Sequence, residues 1–191
     1  MASVVILASA SPRRAAILEA LGVSFRAVVP DIDETLREGE GAREAAERLA
    51  CEKVKAVLSR EHLPVLGADT LVVVGDKVLG KPTTHDDAAL MLRSLSGREH
   101  EVVTGVCLAV GARLFSGVES TRVAFAPMSD AEIAWYVSTR EPMDKAGGYH
   151  VDGLGAAFIQ GVTGSPSNVA GLPVRLVLRL AREAGVPLGP P

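Results

Sequence analysis

The stretch "PVLGADTLVVVGDKVLG" (64–80) decides how the chain folds. An apolar, β-branched run stops at Gly75-Asp76, a residue pair suited to a two-residue hairpin turn, and a second short run follows. It reads as strand, turn, strand, and so introduces antiparallel pairing. The same stretch holds an anomaly in Asp69. An ionised carboxylate in so apolar a strand is costly unless it is paired or bound to a metal. Two readings stay open from the residues alone: a structural ion pair or turn role, and a metal ligand or general base. Counting back from the turn pairs Thr70 with Lys81, which brings a lysine next to Asp69 along the strand, give or take a bulge at Gly80.

Upstream, "LASASPRRAAILEALG" (7–22) carries a helix start. Ser11 suits the N-cap, Pro12 the first helical position, and Ile17, Leu18 and Leu21 form an apolar stripe ending at Gly22. Arg13 and Arg14 then fall in the first turn, at the positive end of the helix dipole. Each costs a few tenths to about 1 kcal/mol there unless an anion lies between them and the free backbone N–H groups. The residues "AREAAERLACEKVKAVLSREH" (42–62) form a long amphipathic helix. Lys53 lies three, four or seven residues from Ala46, Leu49, Ala50 and Val57, hence on its apolar stripe, whereas Lys55 faces solvent. Lys53 either snorkels outward or points its ammonium at an anion. The acidic turn "DIDET" (31–35) is either a solvated surface turn or the source of a second carboxylate which, with Asp69, holds Mg²⁺ or Mn²⁺.

The remaining elements alternate. "SVVILA" (3–8) and "SFRAVVP" (24–30) read as strands, "DDAALMLRSLSG" (86–97) as a helix, and "EVVTGVCLAV" with "RLFSGVESTRVAF" as a second strand pair around Gly111-Ala112. "SDAEIAWYV" (129–137) opens with a capping box, Ser129 with Glu132. "GAAFIQGV" reads as a short strand and "PVRLVLRLAREAG" (173–185) as a closing helix, with residues 186–191 loose. Strands and helices mixed with hairpins define an α/β, mixed α+β, class. The 191 residues, 48% hydrophobic and without low-complexity blocks, suffice for a single domain of two lobes over 1–191.

Composition also excludes classes. No run of about 18 apolar residues spans a membrane. The apolar N-terminal run has no basic region before it, so it reads as a strand and not as a secretory signal. A net charge of −3 argues against a nucleic-acid surface, while a local basic cluster still suits a small anion. Cys51 and Cys107 share no metal-ligand or CxxC spacing, which points to a reduced cytoplasmic protein. His62, His85, His100 and His150 lack nucleophile or metal spacing and read as surface residues. No GxSxG supports a serine nucleophile. The loops "KAGGYHVDGLG" (145–155) and "GVTGSPSNVAGLP" (161–173) match neither a Walker A nor a GxGxxG fingerprint. Arg13, Arg14, Lys53 and Lys81, a helix N-terminus and two or more carboxylates together suit a triphosphate with its divalent metal.

With those residues in view, the chain resembles the Maf family of nucleoside triphosphate pyrophosphatases. "LASASPRR", "DIDET", "RLACEKVKA", "GADTLVV", "LGKP", "LSGREHEVVTGV", "EPMDKAGGYHVDGLG" and "GSPSNVAGLP" carry the resemblance over nearly the whole length. It implies an elongated, two-lobed, inosine-triphosphatase-like fold with a central mixed sheet and a cleft between lobes. It also implies hydrolysis of a nucleoside triphosphate to monophosphate and pyrophosphate with a divalent metal, by a cytoplasmic homodimer. By the resemblance, Asp69 is the proton acceptor and Glu34 the other key acid, both toward metal. Lys53 and Lys81 join them, and Ser9, Ser11, Arg13 and Arg14 bind phosphates. Arg13 and Thr70 match the branch acting on dTTP and UTP. Asp152 stands where that branch has Gln and where the branch acting on N7-methyl-GTP has Glu. A Gln amide both donates to and accepts from a uracil or thymine edge, whereas an ionised Asp only accepts. The expectation is dTTP and UTP, with N7-methyl-GTP or a non-catalytic nucleotide-binding regulator as alternatives.

Overall fold

A computed structural model describes residues 5–188. In chain order it shows β1 (Val5–Leu7), α1 (Pro12–Ala20), β2 (Phe25–Ala27), α2 (Ala42–Leu58), β3 (Val65–Val74), β4 (Lys77–Leu79) and α3 (His85–Leu95). There follow β5 (Glu99–Val110), β6 (Arg113–Phe125), α4 (Asp130–Ser138), β7 (Ile159–Thr163), the single turn α5 (Pro166–Val169) and α6 (Val174–Ala184). Among the described residues the strands form one seven-stranded sheet in the order β2-β1-β3-β5-β6-β7, with β4 added to β3. The sheet is mixed: β1 runs parallel to β2 and β3, while β3/β4 and β6/β7 are antiparallel. The mixed α/β class expected from the sequence is the fold observed.

The chain divides into two compact units, one of Met1–Asp69, Thr104–Glu119 and Gly171–Pro191, the other of Thr70–Val103 and Ser120–Ala170. In the first, strand alternation sorts side chains onto two faces. Val5, Leu7, Leu66, Ala68, Val106 and Leu108 pack with Leu18 of α1 and Leu176, Val177 and Leu180 of α6. Ile6, Ala8, Val65, Cys107 and Ala109 pack on the other face with Ala50, Val54 and Val57 of α2. Residues 65, 67 and 69 share that second face, so the period of β3 aims Asp69 to the side of the sheet that α2 covers. In the second unit, Ala88, Leu92 and Leu95 of α3 and Ile133, Tyr136 and Val137 of α4 share a core with Val72, Val102, Val123 and Phe125.

Four expectations need correction. His100 is buried: its Nε2 lies 2.8 Å from Tyr149 Oη, and its ring meets Phe125 edge-on. The tail is not loose throughout, because Val186 and Leu188 are buried in the core with α6; residues 189–191 fall outside the described part. The stretch from Gly155 is not all strand. Leu154–Phe158 form a 3₁₀ turn and β7 begins only at Ile159. The ladder of the first hairpin, Val74↔Lys77 to Val72↔Leu79, has the counted register but stops at Leu79. There Gly80 turns its carbonyl to accept from the Gly147 N–H at 3.0 Å, which leaves Lys81 exposed two residues past the strand.

Candidate active site

The first unit gathers most of the residues singled out above. Lys53 and Asp69 meet because α2 lies very close to β3. A Cβ on Gly67 would stand 2.7 Å from Val54 Cγ2 and 3.0 Å from the Ala50 carbonyl oxygen. With no side chain there, the helix settles onto the strand two residues before Asp69, and Lys53 Nζ comes within 2.5 Å of Asp69 Oδ1. The same ammonium lies 2.8 Å from Glu34 Oε1. Lys53 and Asp69 side chains are 7% and 8% exposed and Glu34 51%, so a buried acid and a solvent-facing acid share one cation. Lys53 does not snorkel outward; it takes the inward alternative.

The loop that delivers Glu34 has no regular structure, yet it is tied down. Asp33 Oδ1 accepts from Thr35 N at 2.9 Å and from its hydroxyl, and those two bonds hold the Asp33 carboxyl below its ordinary range. Behind the loop, Arg48 of α2 grips Glu40 with two prongs, Nε to Oε1 at 2.6 Å and an Nη2 bond to Oε2 at 2.7 Å. It also donates to Glu52 Oε2 at 3.0 Å and to the Thr35 carbonyl at 3.3 Å. The bonds from Arg48 hold Glu40 down at about 2. Sequence reading passes over this clamp. Arg48 and Glu52 are visible as a helical i, i+4 pair, but Glu40 lies in a loop whose path only the fold reveals.

At the N-terminus of α1, Ser11 caps the helix by accepting from Arg14 N at 3.5 Å, and its own N–H donates to Ser9 Oγ at 3.1 Å. Arg14 is buried; it donates from Nε to the Gly171 carbonyl at 2.8 Å and from Nη1 to Ser9 Oγ at 3.1 Å. Burial pulls its guanidinium below the ordinary value. The Asp69 and Glu34 carboxylates oppose that, and neighbouring Arg13 adds to it. The first turn contains no acidic residue. The cost of placing Arg14 there is therefore offset in part by the carboxylates of other elements, through space.

Lys81, Thr70 and Asp152 belong to the second unit. Thr70 is half-buried on β3, Lys81 is exposed, and Asp152 is exposed in the loop after Tyr149. Among the described residues no group of three or more His, Cys, Asp or Glu side chains is placed to cage a metal. Asp69 and Glu34 nonetheless fit Mg²⁺ or Mn²⁺ in the mode where the protein gives one or two carboxylates and substrate phosphates give the other oxygens.

Cations at a helix N-terminus beside two carboxylates bridged by a lysine make a site suited to phosphoryl groups, built on a mixed α/β fold. Residues 4–184 match the Maf-like protein family, and the chain belongs to that family. A protein of Anaeromyxobacter dehalogenans (strain 2CP-C) named dTTP/UTP pyrophosphatase is 50% identical, covering 98% of this chain and 97% of its own. One of Syntrophomonas wolfei with the same name is 48% identical, covering 94% and 96%. The solved structure of a dITP/XTP pyrophosphatase from Mycobacterium abscessus matches 95% of this chain and 97% of its own at 16% identity, with a TM-score of 0.44.

Proposed function

We propose that this chain is a nucleoside triphosphate pyrophosphatase, cleaving the α–β phosphoanhydride of dTTP and UTP to leave the monophosphate and pyrophosphate. The observation that carries the reading is the buried Asp69 carboxylate held 2.5 Å from Lys53 and sharing it with Glu34, in a chain half identical to relatives of that name.

In this reading water attacks the α-phosphorus, Asp69 accepts its proton, and the bond from that phosphorus to the bridging oxygen breaks. The pyrophosphate departs with the bridging oxygen and the electron pair. Lys53 holds the Asp69 carboxylate in place through Oδ1, a positioning effect of the kind that makes general-base catalysis efficient. Arg13, Arg14 and Lys81 stabilise charge on the departing pyrophosphate, while Ser9, Ser11 and the positive end of the α1 dipole bind phosphate oxygens. Mg²⁺ or Mn²⁺ held by Asp69 and Glu34 would supply neutralisation of the phosphate charge. Arg13, Thr70 and Asp152 select the base. Residues 1–191 act as one domain made of both units, in a cytoplasmic homodimer whose partner is the nucleotide and not a nucleic acid or a membrane. Among the described residues no helix is long and apolar enough to cross a membrane.

The test is incubation with Mg²⁺ and dTTP, UTP, CTP, dITP or N7-methyl-GTP, with the products identified and Asp69→Asn and chelator controls alongside. Monophosphate plus pyrophosphate from dTTP and UTP, lost in both controls, is the expected result. Orthophosphate as product would make the chain a terminal phosphatase. Preference for N7-methyl-GTP would move the base assignment, and tight binding without turnover would make it a regulator.

A further inference from the structure

Two side chains that the reaction does not use tie down both ends of the loop that carries Asp152. At its start, Tyr136 Oη accepts from the His150 backbone N–H at 3.0 Å. At its end, Glu141 accepts from the Leu154 N–H at 3.1 Å through Oε2 and from the Gly155 N–H at 3.0 Å through Oε1. Tyr136 donates its hydroxyl to Glu141 Oε1 at 2.8 Å, so the two ties form one network. Only Val151, Asp152 and Gly153 lie between the tied amides.

The glycines of "HVDGLG" belong to the same device. A Cβ on Gly153 would stand 2.5 Å from Glu141 Oε2 and 2.6 Å from His150 Nδ1; one on Gly155 would stand 2.6 Å from Tyr136 Oη. The chain can approach the clamp closely only without side chains at these positions. Burial raises the Glu141 carboxyl, but the bonds from Tyr136, Leu154 and Gly155 outweigh it and hold the group below its ordinary range. At neutral pH Glu141 is thus a full acceptor, the form the two N–H groups require.

We propose that Glu141 and Tyr136 are positioning residues for base selection, fixing the loop so that the Asp152 carboxylate is presented to the nucleobase in one orientation. The inference rests on the pyrophosphatase reading above. Its physical reason is side-chain length. Asp has two χ angles, so the place of its carboxylate is set almost wholly by the backbone beneath it, whereas a Gln at the same position has one more torsion with which to absorb a backbone shift. An Asp at position 152 therefore depends on a rigid loop.

The test measures kcat and KM for dTTP and CTP in Glu141→Gln and Tyr136→Phe, each alone and with Asp152→Gln. Thymine offers its N3–H to a carboxylate whereas cytosine offers only its N4 amino group, one position along the same edge, so the dTTP:CTP ratio of kcat/KM reads where the Asp152 carboxylate is held against the base. Glu141→Gln should lower that ratio about tenfold, through KM for dTTP more than through kcat, as loss of one hydrogen bond to a charged group would. In the Asp152→Gln background the same change should have little effect, because coupled residues do not add. Hydrogen exchange on the intact protein should show Leu154 and Gly155 amides speeding up about tenfold or more, with α4 unchanged. An unchanged ratio beside faster exchange, an equal loss in both backgrounds, or unchanged exchange would each overturn the proposal. If the buried Tyr136→Phe variant does not fold, Glu141→Gln decides alone. Wild-type protein that cleaves neither nucleotide would take down the pyrophosphatase reading first, and this inference with it.

Discussion

A Cβ placed on Gly105 would stand 2.2 Å from the carbonyl oxygen of Ala46. The contact is backbone against methyl, so no side chain can swing away, and α2 can lie where it does only because β5 has a glycine at that point. Gly67 does the same from β3, although its nearest neighbour is a Val54 methyl group. Gly105→Ala should lift α2 from the sheet and lower stability by about 2–3 kcal/mol, with Gly67→Ala milder. Since Lys53 rides on α2, Gly105→Ala should lose activity beyond its loss of folded protein. Urea midpoints paired with kcat measured well below the transition check this; an unchanged midpoint would mean that the helix is not in close contact.

The three members of the charge cluster should separate stability from activity. Asp69→Asn keeps the shape and a hydrogen-bond partner for Lys53 but leaves the buried Lys53 and Arg14 cations with less negative charge, so it should cost some stability, while kcat of the folded protein falls about 10²- to 10⁴-fold, the range of a lost general base. Lys53→Met leaves a carboxylate buried without its cation and should cost about 3–5 kcal/mol of stability. Glu34 is half-exposed, and Glu34→Gln should stay within about 0.5 kcal/mol of wild type while losing activity. Thermal melts and turnover on the same preparations distinguish this pattern from a merely structural ion pair, for which activity would follow stability in all three.

Much of this arrangement is legible locally. The Gly75-Asp76 and Gly111-Ala112 turns, the Ser11 cap and the Ser129–Glu132 box are short-range signals, and all appear where they are expected. Helical spacing alone places Lys53 on the buried side of α2. What escapes is contact between distant residues. His100 alternates with the charged Glu99 and Glu101 and looks like part of an exposed edge until Tyr149, far along the chain, covers it. Val186 and Leu188 look like a frayed end until α6 carries them into the core. The Arg48–Glu40 grip and the ties from Glu141 depend on loop paths, which no periodicity encodes.

Loosening the Glu34 loop should affect the reaction without unfolding the protein. Arg48→Lys exchanges a two-pronged contact for a point charge. kcat should fall several-fold because Glu34 is held less firmly, and the neutral-pH urea midpoint should drop modestly, because the Arg48 and Glu40 side chains are only 14% and 11% exposed and the lysine keeps the charge but not the second prong. Glu40 has a carboxyl depressed to about 2 from its ordinary 4.5, so its stabilising contribution is full above about 4.5 and is lost as pH falls toward 2. The variant should therefore begin to loosen at a higher pH than wild type on acid titration. Identical acid titrations and equal kcat would show that the clamp does not act on Glu34.

His100 should make the second unit sensitive to acid. Its ring is enclosed by Phe125 and Tyr149, with centroids 5.1 and 5.3 Å away, and its Nδ1 has no hydrogen-bond partner. Burial lowers its pKa to about 4, against the ordinary 6.5, because the charged imidazolium would lose its water and gain no carboxylate. The phenol of Tyr149 is pushed upward by the same burial, so it stays neutral and cannot compensate an imidazolium. The unfolded chain takes up a proton as pH falls through 6.5 while the folded chain does not until about 4, so the unfolded state gains in that window. Stability contributed by neutral His100 is thus full above 6.5 and is lost progressively down to 4, by up to about 3 kcal/mol. His100→Gln keeps a polar partner for Tyr149 and removes the titration. Urea midpoints from pH 7.5 to 4.5 should fall steeply for wild type and more gently for His100→Gln. Parallel curves would mean that the ring finds a way to solvent that the folded structure does not show.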